Sequence, residues 1–185
     1  MDLGFRMHAE RTPNPNSIKW VLGQTVADVV ASASFGDGVS ATVSPLAAGV
    51  VSVDGVTGVL LGPNFVTVTK REEAEWTVLA APIVAAIKAW AASGASALGP
   101  GFEPPRAAEE DEVVQKIRTI LERDVRPYVE QDGGEIRFAG YHDGVVEVVL
   151  QGACAGCPSS SITLKMGIEA RLKAEIPEVR SVVAI

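Results

Sequence analysis

Thiols and imidazoles are scarce in this chain, with two cysteines and two histidines among 185 residues. Two cysteines are too few for a disulfide framework, and the thiols are expected to be kept reduced. Concentrated basic charge is missing too. Lys and Arg number 16 against 23 Asp and Glu, the net charge is −7, and the basic residues are dispersed. Phosphate binding needs a concentrated basic face, which excludes nucleic acid as the main partner. Long apolar runs are also lacking. The start, MDLGFRMHAERTPNPNS, has no apolar core of a signal peptide. The most apolar region, near 80–92, is interrupted by Pro82 and Lys88 and reads as too short to span a bilayer. The expectation is a cytoplasmic protein with no membrane partner. Residues 1–92 hold no Ser/His/Asp set, no phosphate-binding glycine loop and no convincing carboxylate pair, so that part offers no catalytic constellation.

What is present describes a folded protein: 47% hydrophobic and 21% charged residues. Residues 91–108, AASGASALGPGFEPPRAA, are rich in Ala, Gly, Pro and Ser and lack periodicity, which reads as a linker. The expected division is a domain over 1–92, a linker over 93–108 and a second domain over 109–185. The second part is the more acidic, with 14 Asp and Glu against 9 Lys and Arg.

Both parts read as mixed helix and strand, an α+β fold class. In the second, four acidic residues from Glu109 open a helix, and Val113, Ile117, Ile120, Leu121 and Val125 form its apolar stripe. Gln131-Asp132-Gly133-Gly134 breaks it. Two strands, Ile136–Tyr141 and Val145–Leu150, flank an Asp-Gly hairpin signal at Asp143-Gly144. Pro158 suits a first helical position, and Ile162, Met166, Ile168 and Leu172 carry that helix on. Pro177 stops it ahead of a last strand over 179–185, giving the order α-β-β-α-β. In the first part, Ser17–Leu22 reads as a strand after the rigid TPNPN turn. Ser44-Pro45 reads as the cap and start of a short helix. Val56–Leu61 and Phe65–Lys70 form a hairpin, and Trp76, Leu79, Ile83, Ile87 and Trp90 lie on one face of a longer helix. Trp20, Trp76 and Trp90 are expected in the core.

Both cysteines fall in LQGACAGCPSSSITLK, residues 150–165, as Cys154 and Cys157. A C-x-x-C can be half of a zinc site, half of an iron–sulfur site, a redox dithiol or a pair of incidental buried thiols. Gly and Ser around it suggest an exposed loop. Ala155 and Gly156 let the backbone curl closely around a bulky ligand. Cys157 is placed near the start of the following helix, where amides and dipole stabilise thiolates for any of these uses. Tetrahedral zinc and iron–sulfur clusters usually take four protein ligands. His8, in a start expected to be flexible, and His142, in the hairpin turn, are poorly placed to complete a set. Two copies of the loop facing across a two-fold axis would supply four thiolates.

The segment DGGEIRFAGYHDGVVEVVLQGACAGCPSSSITLKMGIEARLKAEIPEV closely resembles the NifU-like C-terminal domain, including D-G-G after the first helix and G-x-C-x-x-C-P-S-S. RTPNPNSIKW, SPLA and GVLLGPNFVTVTK resemble the Nfu N-terminal domain that accompanies it. The resemblance implies an iron–sulfur cluster scaffold or carrier rather than an enzyme. Its cargo would be a 4Fe–4S cluster bridging two subunits, with Cys154 and Cys157 as the cofactor and metal ligands. The implied partners are apo iron–sulfur client proteins, upstream cluster donors and a second copy in a cluster-dependent homodimer. Gly152, Ala155, Gly156 and Pro158 would shape the loop. Asp132, Gly133 and Gly134 also match the motif, and a helix-to-strand turn is favoured for them over a ligand role. A thiol–disulfide oxidoreductase acting through the same cysteines is the alternative, and a zinc-bridged dimer the third reading.

Overall fold

The computed structural model describes residues 5–27, 33–103, 111–155 and 158–185, with backbone alone for 158–161. The chain is α+β and forms two compact units, Met1–Pro104 and Pro105–Ile185.

The first unit is built on a five-stranded antiparallel sheet. Its strands are β1 (Met7–Arg11), β2 (Ser17–Leu22), β3 (Ala33–Gly36), β4 (Val56–Leu61) and β5 (Phe65–Lys70). Their order across the sheet is β1-β2-β5-β4-β3. Strands β1 and β3 went unread in the sequence, being short and largely exposed. His8 therefore lies in an ordered strand opposite Val21, with Nε2 3.0 Å from Glu10 Oε1. Helix α1 (Pro45–Val51) starts as expected, Ser44 Oγ accepting from Ala47 N at 3.1 Å. Helix α2 (Trp76–Ser93) buries Leu79, Ile83, Ile87 and Trp90 in the same core as Trp20, Leu46, Val66 and Val68. Its 18 residues and mean hydropathy of 1.4 make it long and apolar enough to cross a membrane by length and composition, which the sequence reading denied. Pro82 and Lys88 do not shorten it.

The TPNPN turn is held from both sides. Trp76 Nε1 donates to Pro15 O at 3.1 Å, and Lys70 Nζ donates to Asn16 Oδ1 at 3.0 Å. Trp76 also meets Trp20 edge to face at 5.8 Å.

Part of the expected linker belongs to this unit. Ala97 is buried and its carbonyl accepts from Ser44 Oγ at 2.7 Å. Gly99 N donates to Val43 O, Gly101 N donates to Thr42 O, and Phe102 stands edge-on to Phe35 at 6.2 Å. A side chain at Gly99 would collide with the Thr42 carbonyl. Gly99 and Gly101, which read as linker composition, allow close backbone approach, and Gly94 ends α2 with φ 67°. The rest of the expected linker, 104–108, lies outside the described residues, as do Glu109 and Glu110 of the expected helix start.

In the second unit, α3 (Glu112–Ile120), a π-helical turn (Leu121–Val125) and α4 (Arg126–Gln131) run on without a break. Ile117, Ile120, Leu121, Val125 and Val129 are their buried stripe. Strands β6 (Gly134–His142) and β7 (Val145–Gly152) pair antiparallel through Asp143 (φ 50°) and Gly144 (φ 82°). Two left-handed residues in succession match the twist of a two-residue hairpin. His142 accordingly ends a strand rather than sitting in the turn. Helix α5 (Pro158–Glu175) returns the chain to β8 (Ser181–Ala184), which joins β7 in parallel. Ile168 and Leu172 enter the core, but Ile162 and Met166 are 65% and 68% exposed. At 100° per residue, positions 162 and 168 lie roughly 120° apart on the helix, so one stripe cannot include both.

Candidate functional site

The two turns that matter lie side by side at one end of the β6–β7 hairpin. Helix α4 ends at Gln131, and Gly133 follows with φ 73°, its N–H donating to Glu130 O at 3.0 Å. A left-handed glycine just past a helix is a common stop signal, so the Asp132-Gly133 pair is a turn, as the residues suggested. Strand β7 ends at Gly152 with φ 64°, and Ala155 N donates back to its carbonyl at 3.1 Å. Ala153 N donates to Gly133 O at 3.2 Å, and Gly134 is paired in register with Gly152. The turn after α4 and the turn carrying Cys154 are thus joined through backbone.

Cys154 is 7% exposed and packs with Val129, Ile136 and Ile168 in the core cluster. This corrects the expectation of exposure at Cys154, while Ala155 beside it is exposed. Gly134, across the turn, leaves room for this close packing. Cys157 and Gly156 lie outside the described residues.

Cys154 also forms part of the wall of a cavity of about 750 Å³ between α4 and α5. Tyr128, Val129, Leu164, Gly167 and Ile168 supply most of its apolar lining, and Asp132 stands in the same wall. On the other side Asp124 accepts from Arg123 Nε at 2.7 Å and Arg171 Nε at 2.6 Å, and both arginines also reach Glu175. The hydrogen bond from Arg123, with a further one from Arg171, holds the Asp124 carboxyl well below the usual carboxylate range. Farther along β6, Arg126 Nη2 donates to the buried Glu135 Oε1 at 2.6 Å. Burial pushes Glu135 up against the opposing pull of that guanidinium. The sequence reading missed the charged network and Tyr128. Such partners come from separate helices and leave no short motif.

Among the described residues no three His, Cys, Asp or Glu side chains gather tightly enough to hold a metal ion. A thiolate at Cys154 suits iron–sulfur ligation by its chemistry, but with the described residues alone the donor set is incomplete.

Comparison with known proteins fixes the class to which this fold and these turns belong. The family described as NifU-like domain matches residues 117–183, and the family described as scaffold protein Nfu/NifU N terminal matches residues 7–94. The human protein named NFU1 iron-sulfur cluster scaffold homolog, mitochondrial, is 41% identical over 179 residues, covering 95% of this chain and 70% of its own length. Its Drosophila erecta namesake is 40% identical with 95% of this chain covered, and this chain spans 63% of that relative's length. Among solved structures, a NifU-like protein from Saccharomyces cerevisiae superposes with a TM-score of 0.46 at 20% identity, covering 54% of this chain and 91% of that one. The chain belongs to the Nfu/NifU family. The relatives' names overturn the cytoplasmic expectation, since they carry the word mitochondrial. The lack of an apolar signal core bears on secretion only and does not distinguish one reducing compartment from another. None of these relatives lends support to a thiol–disulfide oxidoreductase.

Proposed function

We propose that this chain carries iron–sulfur clusters, binding a 4Fe–4S cluster as cargo through Cys154 and Cys157 and passing it to apo-proteins. The observation that carries the reading is the Cys154 thiol in the cavity wall of a NifU-like domain, fastened through Ala153 to the Gly133 turn. One chain brings two thiols and a cluster usually takes four, so a second copy completes the set in a homodimer. The N-terminal end of α5, which begins at Pro158, favours the negative charge of thiolates and of a thiolate-bound cluster. A cluster held at an interface is released by ligand exchange with a recipient's cysteines. Nothing turns over, so the role is that of a carrier, fed by an upstream donor and emptied by clients.

Anaerobic reconstitution with iron and sulfide, read by optical and Mössbauer spectra, tests this. The wild type is expected to take up cluster, and Cys154→Ala with Cys157→Ala to take up none. Equal uptake by the double variant would sink the proposal. Metal-free catalytic disulfide reduction by the wild type would favour the oxidoreductase instead.

A further inference from the structure

Gly134 is buried in a strand, where glycine weakens the structure relative to Ala. Its backbone does not demand glycine, because the left-handed residues of this turn are Gly133 and Gly152. Space does demand it. A Cβ on Gly134 would fall well inside contact distance of Cys154 Sγ, 3.0 Å from Cys154 Cβ and 3.1 Å from Val129 Cγ1. The volume a side chain would fill is the one the thiol occupies. Opposite it in register stands another glycine, Gly152. From this we propose that Gly134 is a positioning residue: by lacking a side chain it provides a seat into which the Cys154 thiol retracts, and the thiol leaves this seat to engage a cluster or a recipient.

Ligand exchange requires that Cys154 be reached by another molecule, yet in the seat the residue is 7% exposed. The seated thiol is largely buried against the core, and its release is a step before cluster loading. The proposal rests on the carrier reading for its purpose only. Its geometry stands without iron.

The test measures reactivity of the full chain with iodoacetamide in a Cys157→Ser background, where Cys154 is the sole thiol. Gly134→Ala is expected to raise the Cys154 alkylation rate by about 10- to 1,000-fold, as when a state populated at roughly 0.1–10% becomes dominant. Circular dichroism at the assay temperature establishes that the variant is folded. An unchanged rate in folded protein overturns the proposal. Should Gly134→Ala not fold, Cys154→Ala is added to it. Removing the sulfur relieves the deepest of the three overlaps, so the double variant is expected to recover secondary structure by circular dichroism relative to Gly134→Ala alone, and no recovery at all overturns the proposal. No iron is present in either assay, so failed reconstitution and failed alkylation are separate results.

Discussion

Asp124 shows how a single side chain near the cavity responds to pH. Its carboxyl is held below the usual range by Arg123 and Arg171. A depressed folded value contributes stability that is complete above the unfolded value of about 3.9 and is lost as pH falls toward the folded one. Asp124→Asn is therefore expected to lower the Tm at pH 7. The gap between variant and wild type should close as pH drops below about 4. Thermal melts across pH 2–7 read this directly, and a gap independent of pH would contradict it. Cys154 belongs to the same scale. C-x-x-C is visible in sequence, but the inward turn of its first thiol depends on what surrounds it, and the glycine opposite sits twenty residues earlier.

Elements were legible where periodicity was strong. Strands β2, β4 and β5 run over the spans their patterns indicate, as does the buried face of α2. Short, mostly exposed β1 and β3 have no alternation to read, and the segment Ala97–Phe102 was hidden by its linker-like composition. Helix α5 shows the limit of listing apolar residues without projecting them, since Ile162 and Met166 face out. Two predictions belong here. Ser44 both caps α1 and donates to Ala97, so Ser44→Ala is expected to cost about 1–3 kcal/mol in denaturant unfolding. Gly144 adopts φ 82°, and a Cβ there would stand 2.8 Å from Glu178 O and Arg180 Cγ. Gly144→Ala is accordingly expected to destabilise the second unit by about 1–3 kcal/mol, while leaving unfolding of the first unchanged.

At the scale of the whole molecule, two units each have their own core, one around Trp20, Leu61 and Ile83 and the other around Ile117, Val146 and Leu172. Their division at Pro104–Pro105 falls within the segment whose composition suggested a linker. Family membership could be read from the D-G-G and G-x-C-x-x-C-P-S-S motifs, whose glycines Gly133 and Gly152 take left-handed turns and so leave local signatures. Compartment could not, because it leaves no trace in a packed core. The central claim is that one chain holds half of a cluster site. Native mass spectrometry of the anaerobically reconstituted full chain tests it most directly. The account predicts a dimer carrying the mass of one 4Fe–4S cluster for two chains, with metal-free protein losing that species. A monomer carrying a whole cluster, or a cluster-loaded dimer that survives Cys154→Ala with Cys157→Ala, would contradict it.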